Sequence, residues 1–245
     1  MRRSYIITSA IEASTNPLTY NPIRSTFSAE ERLRQTVMTV ASLDQVSNSE
    51  TTIYLLDLSD NWEYYRDFFS YQSNLKFVSV KQEFPDIYNE AISHANKSRC
   101  ETLITKNFLK TYRSELDQSA IIKISGRYFV DGSFKPNIIA HDKIYFKQPQ
   151  EFEWQDWWGY DYVKLPGDNK LRQYCSVIFA WGQEHYDVVL NLYSKMSETL
   201  ALPNMQHYDM ETLLYFYTRE YVDQIVETDW KVYGWLAPTG QFVRQ

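Results

Sequence analysis

Midway along the chain an apolar run, Ala120 to Ile124, leads into Ser125-Gly126-Arg127-Tyr128. Only seven glycines occur in 245 residues, and one stands here beside an arginine. Glycine lets a backbone approach a ligand closely, and a guanidinium forks around carboxylate or phosphate oxygens. Tyrosine adds a hydroxyl donor or a ring face. Together they suit an anion whose charge grows during a reaction and must be stabilised there. The competing explanation is a plain turn at Gly126, with Arg127 paired to Asp131 or another surface acid.

A second constellation is His207-Tyr208-Asp209-Met210-Glu211. On a helix, His207 and Glu211 share a face at i and i+4, and Asp209 lies off it. Glu211 or Asp209 can take a proton from an attacking hydroxyl; a helix-capping acid or a buried structural pair accounts for them equally well. The His-Glu spacing also suits a metal, but two ligands do not make a site. Upstream, "QDWWGYD" offers Asp156 and Asp161 as alternative bases. Trp157, Trp158 and Tyr160 between them are either stacking faces for a sugar or a loop packed on the core. Arg32 and Gln35 share one helix face, with Arg34 off it, and serve either a ligand or an ordinary polar surface.

Other chemistries find no support. There is no GxxxxGK[ST], GxGxxG or GxSxG motif. Cys100 and Cys175 lie far apart, with neither a nucleophile motif nor a metal spacing, as expected of free thiols in a cytosolic chain.

The elements that must position these residues alternate. Strands are expected at Tyr5–Ala10, Thr52–Leu56, Leu75–Val80 and Ala120–Ile124. Ser28 and Glu31 form a capping box for a helix whose apolar face is Leu33, Val37, Val40 and Ala41. Trp62–Tyr71 reads as helical. "NEAISHANKSRCETLITKNFLKTY" is helical with a break near Lys97, where Ser98 and Glu101 repeat the capping-box spacing. Strand–helix alternation implies a mainly parallel sheet with helices on both faces, and ligands bind at the carboxyl ends of such strands. That rule points to Ser9–Glu12, Asp57–Asp60 and Ser125–Asp131. In the second half, "KIYFK" and "YCSVIFAW" read as strands and "EFEWQDWWGYDY" as a loop or short helix. Gly182–Met196 and Met205–Tyr221 read as amphipathic helices.

The composition, 44% hydrophobic and 23% charged, is that of a globular chain. No apolar run is long enough for a membrane span, and the apolar part of "MRRSYIITSA" is too short for a signal peptide. A net charge of −6 argues against broad nucleic-acid binding but leaves room for a local basic pocket. The 20 tyrosines and 7 tryptophans fit stacking on sugars or bases, or simply a core rich in large side chains.

The first strand, "LLDLSD" and "NKSRCETLI" together resemble the front half of GT-A-type nucleotide-sugar glycosyltransferases. More narrowly, "ERLRQTVMTVASL" followed by "LLDLSD" and "IIKISGRYFV" resembles sugar transferases from bacterial and viral surface-polysaccharide loci. The likeness covers roughly the first 150 residues. It implies an α/β fold: one GT-A-like domain with a mainly parallel central sheet flanked by helices. Residues 1–147 would form the nucleotide-sugar-binding half and 148–245 a mixed, acceptor-side half.

The resemblance further implies a cytoplasmic glycosyltransferase, hexosyl or related, inverting or retaining. It would move sugar from a nucleotide-sugar donor to a glycan or lipid-linked glycan acceptor in capsule or lipopolysaccharide biosynthesis, with no nucleic-acid partner and no integral membrane segment. A non-catalytic nucleotide- or glycan-binding protein of the same fold is the alternative. Residue by residue, Asp57 would meet the base or ribose, with Ser59 and Asp60 completing its turn. Ser9, Glu12, Lys97, Arg99, Gly126 and Tyr128 would also lie on the nucleotide side. Glu12 is as readily an ordinary loop acid. Glu211, Asp209 and Arg127 would be catalytic; Trp157, Trp158, Tyr160 and His207 would bind the acceptor.

One departure matters. Most GT-A enzymes end the fourth strand in a metal-binding Asp-x-Asp, and here that place reads Ser125-Gly126-Arg127. The expectation is therefore Arg127 on the donor phosphate and no metal cofactor. Mn²⁺ or Mg²⁺ is the alternative, with Asp57, Asp60, His207 and Asp209 as its ligands.

Overall fold

The structure is a computed structural model that describes residues 2–18, 22–164, 167 and 169–244. The four front strands form where expected, with ends shifted by a residue or two: β1 (Arg3–Ser9), β2 (Thr51–Asp57), β3 (Leu75–Ser79) and β4 (Ala120–Ser125). The crossovers carry α1 (Ala29–Asp44), α2 (Trp62–Phe69), α3 (Val80–Glu83), α4 (Pro85–Ser93), α5 (Lys97–Thr111) and α6 (Arg113–Leu116). Such crossovers let the strands pair in parallel.

The second half adds β5 (Tyr128–Val130), β6 (Ile144–Lys147), β7 (Gln150–Glu153), β8 (Lys170–Gln173), β9 (Ile178–Trp181), α7 (Tyr186–Thr199), α8 (Met210–Thr218), β10 (Ile225–Thr228), β11 (Val232–Trp235) and β12 (Phe242–Arg244). The main sheet has seven strands in the order β10-β6-β9-β4-β1-β2-β3, and β9 runs antiparallel to both its neighbours. Because β9 lies between β4 and β6, the two halves of the chain share one sheet. β5, β11 and β12 form a small antiparallel sheet, and β7 pairs with β8.

Alternation along the strands sorts side chains into two cores. Ile6, Tyr54, Leu56 and Ile121 pack with residues of α4, α5, α7 and α8. Tyr5, Ile7, Ile53, Leu55, Ile122 and Ile124 pack with α1, α2, β5 and β11. Among the described residues no helix is long and apolar enough to cross a membrane.

Several local expectations are corrected. The capping box on α1 forms, with Ser28 N–H donating to Glu31 at 2.8 Å and Glu31 N–H to Ser28 at 3.2 Å. The face that α1 buries is largely polar, however: Arg32, Gln35, Thr36 and Thr39 join Val40 and Leu43, and Ala41 is exposed. The break before α5 is capped by Asn96, which accepts the Arg99 N–H at 2.9 Å. Ser98 instead accepts the Met210 N–H at 3.0 Å, tying α5 to α8. α8 begins only at Met210, so His207 and Glu211 do not share a helix face. α7 starts at Tyr186, after a 3₁₀ turn at Gln183–His185, and the extended Gly182 before it lies so near the chain at Ala140 that a Cβ would come within 2.2 Å of its carbonyl oxygen. "EFEWQDWWGYDY" begins as β7 before two short 3₁₀ turns, Asp156–Trp158 and Asp161–Val163.

Candidate active-site cleft

The parallel register sets Thr8 level with Ser125 and Ser9 level with Asp57 at the carboxyl edge of the sheet. A cleft opens there. Its floor is Thr8, Ser9 and Ser125, and its walls include Glu12, Ser14, Ile92 and Ile104 together with Arg24, Arg32, Lys97 and Arg127. This is the strand-end position at which open α/β sheets bind ligands.

The arginines are held in place by the protein. Arg32 is only 6% exposed, and its guanidinium donates to Ala10 O at 2.5 Å and Ser25 Oγ at 3.1 Å. Arg127 is half-buried and donates from Nε to Trp235 O at 3.2 Å, which braces it on β11. Burial lowers the Arg32 pKa, the Arg127 charge lowers it further, and Asp57 offsets part of this. Lys97 is open to solvent along the cleft yet crowded by protein. That crowding, then repulsion from Arg127, lowers its ammonium to about 8 against the pull of Glu101 and Glu211. Arg127 thus repels both Arg32 and Lys97, and an anion between them would relieve that repulsion.

The sequence reading missed Lys123. Mid-strand in β4, it is fully enclosed, pairs with Glu101 of α5 and donates to Ser176 O at 2.7 Å. Burial disfavours the Glu101 carboxylate, but Lys123, Lys97 and Arg127 outweigh it and hold its pKa below the usual value. The available signal was alternation: Ile121, Lys123 and Ser125 share one strand face, so a lysine had to sit under the cleft.

The expected nucleotide-side residues divide. Ser9, Glu12 and Lys97 line the cleft. The Glu12 carboxylate is already clasped by Asn61 N at 3.0 Å, Asn61 Nδ2 at 2.6 Å and the Tyr65 hydroxyl at 3.2 Å. Asp57 is wholly buried, and its two oxygens accept the N–H groups of Ile11 at 3.0 Å and Ser59 at 2.8 Å. Ser59, also buried, accepts the Glu12 N–H at 2.9 Å. Asp57 and Ser59 therefore shape the loop after β1 rather than face a ligand, and Asp60 binds Lys81 and the Tyr88 hydroxyl. Arg99 turns from the cleft to Glu90 and to Ser197 O at 3.1 Å. Gly126 serves packing: a Cβ there would lie 3.1 Å from the Ser9 side chain and 3.2 Å from Thr8 O. Tyr128 is buried in the core behind β4.

On the side expected to take the acceptor, a cavity of about 350 Å³ meets the cleft at Lys97 and Glu101 and is lined further on by Tyr160, His207, Asp209 and Glu211. Glu211 is half-buried and accepts the Ser176 hydroxyl. Burial and the Asp209 charge raise its pKa, which makes it a stronger base than an ordinary glutamate. Asp209 is the α8 N-cap: one oxygen accepts the Thr212 N–H at 2.6 Å, and the other accepts Tyr160 Oη at 2.9 Å and Gln173 Nε2 at 3.0 Å. Both Asp209 oxygens are thus engaged within the protein. Asp156 and Asp161 line neither cavity. Tyr160 stacks on Tyr208 at 4.5 Å, and His207 bonds Gly159 O at 2.8 Å.

The residues at the end of β4 do not fit a divalent cation. Arg127 occupies the place, Glu101 is committed to Lys123, and Asp57 to backbone amides. Among the described residues no group of three or more His, Cys, Asp or Glu side chains is arranged to hold a metal.

Parallel strands β3-β2-β1-β4, the reversed β9 and the strand-end cleft define a glycosyltransferase fold of the GT-A type. Two solved structures match it: a galactosyltransferase, LgtC, in complex with donor and acceptor sugar analogs, and mouse xyloside xylosyltransferase 1 in its apo form. The first gives a TM-score of 0.52 at 9% identity over 92% of this chain and 73% of its own. The second gives 0.50 at 12% identity over 94% and 86%. The likeness is one of fold. No protein-family model matches the sequence, and no curated protein does.

Proposed function

We propose that the protein transfers a glycosyl unit, hexosyl or related, from a nucleotide-sugar donor to a glycan or lipid-linked glycan acceptor, without a divalent cation. The observation that carries this is the gathering of Arg32, Lys97 and Arg127 around the strand-end cleft of a GT-A fold. The donor's phosphates lie along Arg127 and Lys97, and its sugar reaches the junction at Lys97 and Glu101. As the glycosidic bond breaks, negative charge grows on the leaving phosphate and the fixed cations stabilise it. In an inverting transfer Glu211 takes the proton of the attacking hydroxyl. Cys100 and Cys175 are thiols rather than disulfide sulfurs, which fits a reducing cytoplasm, and surface polysaccharide is the product class.

The test is a thermal-shift panel of nucleoside diphosphates and CMP, with and without Mn²⁺, followed by transfer assays in excess EDTA. A ligand of the native state raises its melting temperature by mass action. A shift that persists in EDTA, with transfer, is the expected result; Arg127→Ala should lose turnover and Arg127→Lys part of it, since Lys lacks the fork. Activity abolished by EDTA and restored by Mn²⁺ would overturn the metal-free mechanism. The absence of an acidic pair at the end of β4 favours one second reading, a non-catalytic binder of nucleotides or glycans. Nucleotide binding without turnover on any acceptor would select it.

A further inference from the structure

Beyond the pocket that holds Glu211 lies another cavity of about 330 Å³, and the two share Tyr160 and His207. Each is of the size that a small-ligand site occupies, roughly 300–1,000 Å³. The outer cavity has an aromatic frame of Phe152, Trp157 and Trp158, with Gln173 as a polar group beside His207, and among the described residues no Asp, Glu, Lys or Arg lines it. Trp157 is 80% exposed, an unusual position for so large an apolar surface. Its ring meets that of Trp158 at 71° with centroids 5.9 Å apart, so the two form a corner rather than a flat patch. Gly159, next in the chain, has φ +69° and returns the loop so that its carbonyl reaches His207.

We infer that this corner is a second acceptor subsite, built for an uncharged sugar ring, so that the acceptor is a neutral oligosaccharide of at least two units. This rests on the proposed transferase reading. A sugar ring presents C–H groups on its faces and hydroxyls at its rim. The aromatic corner matches the faces; Gln173 Nε2 and His207 Nε2 are engaged by Asp209, Thr212 and Gly159 O, so the rim hydroxyls would meet Gln173 Oε1 and His207 Nδ1. A carboxylated or phosphorylated unit would be stripped of water there with no cation among the lining residues to compensate it. Continuity through Tyr160 and His207 makes the occupant an extension of the sugar that reacts beside Glu211, which sets it apart from an unrelated ligand.

The test separates the two proposals. Saturation-transfer NMR would measure binding of glucose, galactose, lactose, cellobiose, maltose, maltotriose and 3′-sialyllactose to the full chain, in parallel with nucleotide thermal shifts. At least one neutral di- or trisaccharide should bind roughly tenfold tighter than either monosaccharide and tighter than the sialylated sugar. Trp157→Ala, at an exposed position, should bring that sugar down to the monosaccharide level and leave the nucleotide shift unchanged. Equal affinity for one and two units, preference for the charged sugar, indifference to Trp157→Ala, or no binding of any neutral oligosaccharide would each overturn the subsite. An intact nucleotide shift in those cases leaves the transferase reading standing, and loss of the nucleotide shift alone strikes that reading.

Discussion

The ammonium of Lys123, enclosed within β4, is paired with the Glu101 carboxylate on α5 directly beneath the cleft. Removing one partner of a buried pair leaves the other charge uncompensated, which costs about 3–5 kcal/mol. Lys123→Met should lower stability by about that much in urea unfolding. Lys123→Met with Glu101→Gln should recover a good part of the loss, because no buried charge then remains. The pH dependence has a defined sign. The folded Glu101 pKa lies below the unfolded one, so its contribution is present above the ordinary glutamate value and lost as pH falls through the folded value. A single mutant as stable as the parent would show that the pair contributes nothing net.

In the proposed donor site Lys97 should make nucleotide affinity pH-dependent. With its ammonium lowered to about 8, it loses its charge at a pH where an ordinary lysine keeps it. Nucleoside diphosphate affinity should therefore fall as pH rises through about 8. A bound phosphate will draw the midpoint upward, since the anion favours the charged lysine. Isothermal titration between pH 6.5 and 9.5 (roughly the range flanking that value) would show the decline, and Lys97→Met should be weaker and flatter. An unchanged profile in Lys97→Met would assign the titration elsewhere.

The fold was largely legible. "YIITSA", "TTIYLLD", "LKFVS" and "AIIKIS" are apolar runs bounded by polar residues. The strand-end rule drawn from them led to Ser9, Glu12 and Arg127, and the family resemblance to Lys97, all of which line one cleft, whereas Asp57, Ser59 and Asp60 at the rule's third place do not. The partners of buried polar groups were not legible, because they lie far off in sequence: Glu101 is 22 residues from Lys123, and Ile11 is 46 from Asp57. Gly126 looked like a ligand contact because it stands at a strand end, where glycine lets the backbone approach a ligand, whereas its close neighbour is β1. The start of α8 was misplaced because apolar periodicity extends upstream of Asp209, and only the cap geometry reveals that the helix begins after it.

Asp57 is now expected to act through the loop. Its oxygens accept two buried N–H groups, so Asp57→Ala leaves the Ile11 and Ser59 amides unpaired, at about 1–3 kcal/mol each where no water replaces the carboxylate. Stability should fall together with nucleotide affinity, because the same loop carries Glu12 and Ser14 into the cleft. Asp57→Asn, which keeps an acceptor for one amide, should lose less of both. Nucleotide affinity lost at full stability would instead mark Asp57 as a direct contact.

Glu211 predicts two pH profiles of opposite slope. Burial comes first among the causes that raise its pKa, followed by the Asp209 charge and more weakly by Glu101, while the Ser176 hydroxyl pulls the other way. As a general base it must be ionised, so transfer should rise with pH through its raised value. The folded state binds this proton more tightly than the unfolded chain does. The Glu211 contribution to stability is therefore fully present below the ordinary glutamate pKa and lost as pH climbs from there through the folded value. Glu211→Gln should abolish both slopes. It keeps an acceptor for Ser176, so nucleotide shifts should survive, whereas transfer should drop about 10²–10⁴-fold. A pH series of transfer rates and urea midpoints on parent and mutant would check all of this at once. Full transfer in Glu211→Gln would remove it as the base and leave Asp209, which sits in the same cavity and caps α8, as the carboxylate to test next.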